Sequence, residues 1–156
     1  MTSKKVSATG TGSTRSTNIP WLYRLFFLYI EPVATALGAY YAALDQQEYM
    51  VLTIPEDSRP VTTRESIVLY QLANLYFVFA LNEALVLRVT TDRRVWATFL
   101  LGLLIADFGH LASVQAVGWD IYYRVDQWNA MYWGNLGFVY VGAMMRTCFL
   151  LKVGYD

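Results

Sequence analysis

Four apolar segments, each about as long as the 20 residues a helix needs to cross the hydrocarbon of a bilayer, limit what this chain can become. They run over 21–44, 66–87, 95–117 and 131–151, bounded by charged residues, turn formers or aromatics. Inside a bilayer every backbone polar group must be satisfied within its own segment, which a helix achieves and an open sheet edge does not. The expected fold is therefore all-α, an integral membrane four-helix bundle. The connections are too short for a second domain, although 45–65 has room for a small structured loop.

Composition agrees with this class. Hydrophobic side chains make up 56% of the chain and charged ones 15%, proportions that fit one membrane domain better than a soluble core. The formal net charge is zero, so no nucleic-acid partner is expected. The single cysteine, Cys148, lies in an apolar run; it supports neither a disulfide nor a thiolate metal site within one chain and reads as a small buried hydrophobe. Residues 1–20 carry two lysines followed by a Ser/Thr/Gly-rich stretch without an apolar core. They are expected to form a disordered cytosolic tail rather than a signal peptide, leaving 21–156 as the membrane domain.

Orientation follows from the basic residues, which are retained in the cytosol. Lys4, Lys5, Arg15, Arg24, Arg88, Arg93, Arg94, Arg146 and Lys152 fall on one side, against Arg59, Arg64 and Arg124 on the other. Both termini are therefore expected to be cytosolic. The second outer loop, GWDIYYRVDQWNAMYW, is aromatic enough to lie along the outer interface.

Against this apolar background, two carboxylates stand out. Glu31 and Asp107 sit in the middle of the first and third segments, where charge is most expensive and is rare without a partner, a cavity or a use. Counting residues from the segment ends places Glu31, Asn74 and Asp107 near one depth. His110 follows Asp107 by three positions and shares its face, and Gln71, Asn74 and Asn82 share a face of the second segment. Asn135 is placed at a level His110 and Gln71 could approach, and Tyr132 and Trp133 begin the fourth segment as aromatic support. Faces this polar are expected to turn inward around an internal cavity. Gly38, Gly102, Gly109, Gly134, Gly137 and Gly142 are read as allowing close helix approach.

Pro32 cannot donate to the Leu28 carbonyl and disfavours helical geometry at Glu31, so a kink is expected at the acid. Carbonyls freed there could hold a water or a protonated carboxyl. Glu83 and Arg146, nearer the cytosolic ends of their segments, are expected to form a structural ion pair that fixes packing. Asp107 and His110 admit a similar reading as a satisfied internal pair.

Two carboxyls sharing a dry site leave one of them holding a proton, which is an acid capable of protonating an olefin or epoxide. The chain's 12 Tyr, 8 Phe and 5 Trp supply faces able to stabilise a carbocation. Glu31, Asp107 or His110 would remove the terminal proton. With one histidine, no HExxH, no paired-Asp motif and no glycine-rich phosphate loop, neither a metal nor another cofactor is expected. No Ser-His-Asp order of a hydrolase is present.

The runs YRLFFLYIEPVATALGAYYA, QLANLYFVFALNEALVLR, LLGLLIADFGHL and WNAMYWGNLGFVYVGAMMR resemble a small four-span family of fungal integral membrane proteins that includes or lies near the membrane-bound terpene cyclases of meroterpenoid pathways. The resemblance covers nearly the whole chain from Pro20 onward. The architecture is also similar to the EXPERA superfamily, with its sterol double-bond isomerase and sterol-binding members. The larger membrane-bound cyclases have more spans than this chain. What the resemblance implies is proton-initiated, metal-independent cyclisation or isomerisation of a farnesyl-type isoprenoid, with catalytic acids carried onto Glu31 in IEP and Asp107 in ADFGH. The alternative it implies is an EXPERA-type protein binding a sterol-like lipid. A third reading is a structural membrane partner whose polar faces pair with another subunit. The implied partners are an isoprenoid or sterol-like small molecule and membrane lipid, with a homo-oligomer possible and the endoplasmic reticulum as location.

Overall fold

The computed structural model describes residues 18–155. Most of the tail expected over 1–20 lies outside the described residues. Those described contain helices and no strand. The first long helix, Trp21–Leu44, the second, Thr63–Val86, and the third, from Arg93 through Val117, are each long and apolar enough to cross a membrane. A fourth occupies residues 130–150, and a short helix, Gln46–Thr53, follows the first.

Local sequence chemistry sets where these helices begin. Thr62 and Glu65 form a reciprocal cap, each side chain bonding the other's backbone N–H. The second helix thus starts three residues before the expected 66, because a capping box satisfies donors that would otherwise be orphaned. Asp92 accepts from the Arg94 amide at 2.8 Å to start the third helix, and Asn129 from the Tyr132 amide at 2.9 Å to start the fourth. The expected structured loop is the helix Gln46–Thr53, joined to the fourth helix by the Asn129 amide and Tyr132 hydroxyl, which donate to the Leu52 and Thr53 carbonyls. The aromatic connection between the third and fourth helices is built of 3₁₀ turns at Trp119–Tyr122 and Val125–Gln127.

The first helix packs along the second and the third along the fourth, giving two helix pairs. At the end where residues 21 and 150 meet, the pairs are joined by an aromatic core of Tyr23, Phe26, Phe27, Trp96 and Phe149 with Leu87 and Leu100. Phe27, Trp96 and Phe149 are almost wholly withdrawn from the surface, and their faces meet edge-on or stacked. A smaller contact of Ala42, Tyr49, Leu69 and Ala73 closes the first pair at the other end. The outside is apolar: Ile67, Ile105 and Phe108 are 55%, 65% and 62% exposed. Contiguous surface of this kind is disfavoured in water and compatible with lipid.

Both π-helical turns fall at polar positions. Phe26–Ile30 immediately precedes Glu31-Pro32, and Trp133–Phe138 interrupts the fourth helix. Such bulges reroute backbone hydrogen bonds and recur at functional sites. The Leu28 carbonyl, which Pro32 cannot serve, accepts instead from Arg88 Nη2 at 2.8 Å. The carbonyl expected to hold a water or a carboxyl is therefore occupied by an arginine from the turn that follows the second helix.

Candidate functional site: a buried charge cluster beneath an interhelical cavity

Between the two helix pairs lies a cavity of about 970 Å³. All four long helices line it. Glu31, Thr35, Gly38 and Tyr41 come from the first, Tyr76, Phe79 and Glu83 from the second, Leu103, Asp107 and His110 from the third, and Trp133, Asn135, Phe138 and Arg146 from the fourth. The short helix adds Glu48 and Leu52, and the exposed Asp45 stands beside them at the mouth. Glu31, Glu83, Asp107 and Arg146 sit at the opposite end, next to the aromatic core.

Arg146 organises that floor. Its Nη1 donates to Asp107 Oδ2 at 2.7 Å and its Nη2 to Glu31 Oε1. The expectation that Glu83 pairs with Arg146 is corrected here, since the cation bonds to Glu31 and Asp107. The depth count failed because the arginine side chain runs back along its own helix, a direction natural to long helical side chains. It lies over Gly142, where an added Cβ would stand 2.7 Å from Nη1 and 3.5 Å from Glu31 Oε1. The guanidinium carbon also sits 5.9 Å from the Phe27 ring centroid, so the aromatic core supports the cation from below.

Glu83 is 2% exposed and lies within hydrogen-bonding reach of Glu31. Its Oε1 and Glu31 Oε2 are buried with no protein hydrogen-bond partner. The floor thus contains three carboxyl groups and one guanidinium. Fully ionised, three carboxylates against one guanidinium would leave an excess of two negative charges, and a proton held within the carboxyl set reduces it, because uncompensated like charges in a low-dielectric site cost several kcal/mol or more.

His110 is half-buried, and its Nε2 lies 3.1 Å from the Asn135 carbonyl oxygen. A carbonyl only accepts, so Nε2 carries the hydrogen and Nδ1 keeps the lone pair. Asn135 contributes to the site through its backbone at the π-helical turn, where the Val139 amide bonds to Leu136. Asp107 and His110 both border the cavity, but Asp107 is bonded to Arg146 rather than to the histidine.

Other expectations are corrected. Gln71, Asn74 and Asn82 are exposed and do not line the cavity. Inward positions on the second helix go instead to Leu69, Ala73, Ala80 and Glu83, because its packing face is set by small and aliphatic residues. Tyr132 serves the short helix Gln46–Thr53 through the Thr53 carbonyl, while its neighbour Trp133 borders the cavity. Close helix approach describes Gly38, where an added Cβ would stand 3.5 Å from the Tyr76 ring, but Gly102, Gly109 and Gly134 have nothing within 4 Å of one. The participation of Glu83 and Arg146 was missed; their type was visible, yet only the side-chain path over Gly142 places them with Glu31.

Among the described residues no group of three His, Cys, Asp or Glu side chains is placed to hold a metal ion. The space between Glu31 and Asp107, where a cation would bind, is filled by the guanidinium.

Fold and site together define an all-helical bundle with membrane-length helices and an ionisable cluster at the base of an internal cavity. The chain matches the family described as a domain of unknown function, DUF7704, over residues 16–155 and belongs to it. Comparison with curated proteins finds no match, and comparison with solved structures finds none.

Proposed function

We propose that the protein crosses the endoplasmic reticulum membrane four times with both termini in the cytosol, and that it is a membrane-bound terpene cyclase. The reaction is proton-initiated, metal-independent cyclisation of a farnesyl-type chain carrying a polar head, as in meroterpenoid biosynthesis. The observation that supports it most is the joining of a buried cluster of three carboxyl groups to a cavity walled by Tyr41, Tyr76, Phe79, Trp133 and Phe138. The volume lies within the usual range for small-molecule sites. Protonation of an olefin in such a space leaves a carbocation that aromatic faces attract and water does not quench. His110, with Nδ1 free to accept, provides a base for the terminal proton.

The test is incubation of the purified protein in lipid nanodiscs with a farnesylated quinol or its terminal epoxide, with chelator present. Cyclised product is expected, with turnover lowered at least 100-fold by Glu31→Gln and by Asp107→Asn. Saturable binding with no product, or turnover indifferent to both substitutions, would sink the catalytic assignment. Topology is checked separately by a glycosylation acceptor placed in the 54–60 loop, which should be modified in microsomes while acceptors at either terminus are not.

One observation favours a second reading. Glu31 and Asp107 are both already engaged by Arg146, as suits a protein that anchors the hydroxyl of a sterol-like lipid without transforming it. Tight, stoichiometric binding of a fluorescent sterol, unaccompanied by conversion, would select it.

A further inference from the structure

We infer that Glu83, rather than Glu31 or Asp107, is the residue that holds the proton of this site and delivers it to the substrate. The inference rests on the cyclase reading above for its substrate, while the placement of the proton stands on geometry alone.

The two terminal nitrogens of Arg146 are bonded to the other two acids, and its Nε has no hydrogen-bond partner among the described residues. Nη1 serves Asp107 and Nη2 serves Glu31, and a hydrogen bond from a guanidinium to a carboxyl group is of the strong, charge-assisted kind. Glu83 receives no such bond. The remaining cations nearby are turned elsewhere. Arg88 donates to the Leu28 carbonyl and lies over the Tyr29 ring, and Arg93 donates to the Phe149 carbonyl at 3.3 Å. His110 is directed at the Asn135 carbonyl. Glu83 is almost completely buried, borders the cavity and adjoins Glu31. Two ionised carboxylates side by side would repel strongly, whereas a carboxyl beside a carboxylate can share one hydrogen between Glu83 and the free Glu31 Oε2.

The step balances without a co-reactant. The Glu83 O–H bond breaks and a C–H bond forms at one olefin carbon, using the π-electron pair and leaving a tertiary carbocation. Ring closure consumes further olefin pairs. A C–H bond adjacent to the final cation then breaks to give a new double bond, its proton passing to His110 Nδ1 and returning to Glu83. Substrate and product are isomers, and Glu31 and Asp107 act as positioning residues through Arg146.

The test uses infrared spectroscopy of the full-length protein in nanodiscs at neutral pH, following the carbonyl stretch of protonated carboxyl groups and its shift in D₂O. A band is expected in the wild type and in Asp107→Asn, and its loss is expected in Glu83→Gln, with helical content unchanged by circular dichroism. A band that survives Glu83→Gln, or one missing from the wild type, overturns the inference. In parallel, turnover of the farnesylated quinol is expected to fall more than 100-fold in Glu83→Gln and to recover in part in Glu83→Asp. Turnover in Glu83→Gln within a few fold of wild type overturns it too. A wild type that shows the Glu83 band yet converts no quinol refutes the cyclase reading and supports the placement of the proton.

Discussion

At the scale of single residues, the decisive group is Arg146, because it converts two isolated intramembrane acids into a bonded cluster. Its removal leaves Glu31 and Asp107 facing each other without a counter-charge. Arg146→Met is expected to cost about 3–5 kcal/mol, as for other buried pairs broken on one side. Much of that loss should be recovered in the triple variant Arg146→Met/Glu31→Gln/Asp107→Asn, measured by thermal unfolding in detergent. Gly142 is the second such residue. A methyl there would meet Nη1 at 2.7 Å, and although an arginine tip is ordinarily free to move, this one is tethered to two helices. Gly142→Ala is therefore expected to destabilise the protein, whereas Gly102→Ala, with open space around it, should be neutral or stabilise by up to about 1 kcal/mol. Equal melting temperatures for the two variants would contradict this account.

At the scale of elements, the first helix depends on the turn after the second for a hydrogen bond it cannot make itself. Pro32 removes the donor for the Leu28 carbonyl, and Arg88 supplies another. Arg88→Met should cost about 1–3 kcal/mol, the usual penalty for orphaning a buried polar group. Pro32→Ala in the same chain should offset part of it by restoring an amide; a double-mutant cycle with no coupling would argue against the link. The entry to the second helix carries a different device. Asp57 is held below the usual carboxylate range by the hydrogen bond from the Arg59 side chain, then by that from its amide. The depressed value means that the contribution is present above the normal carboxylate range and is lost as pH falls through the depressed value. Protection factors over 53–62 are expected to drop in acid, modestly because the pair is exposed, and Asp57→Asn should abolish that dependence.

At the scale of the molecule, the bundle is two helix pairs sealed at one end by aromatic residues and separated by a cavity whose charged floor rests on that seal. Gln71, Asn74 and Asn82 lie on its outer surface, so replacing all three by leucine should leave ligand binding or turnover within about two-fold of wild type, while Glu31→Gln should not. A loss equal to that of Glu31→Gln would place the amides back in the site. The sequence by itself determined the all-helical class, the approximate extents of the long helices, the donor missing at Pro32 and the anomaly of Glu31 and Asp107. All of these depend on local length, hydropathy and the missing donor of one proline. The three-residue spacing from Asp107 also put His110 on the same face as the acid, and both border the cavity. Only the tertiary structure decided that the amides of the second helix face outward and that Arg146 bridges the acids while Glu83 is left beside Glu31. In a membrane-type helix apolar residues cover every face, so periodicity does not mark the buried one. The reach of an arginine laid over a glycine also spans a full helical turn, so the partner of a charge is fixed by packing in three dimensions and not by its position along the chain.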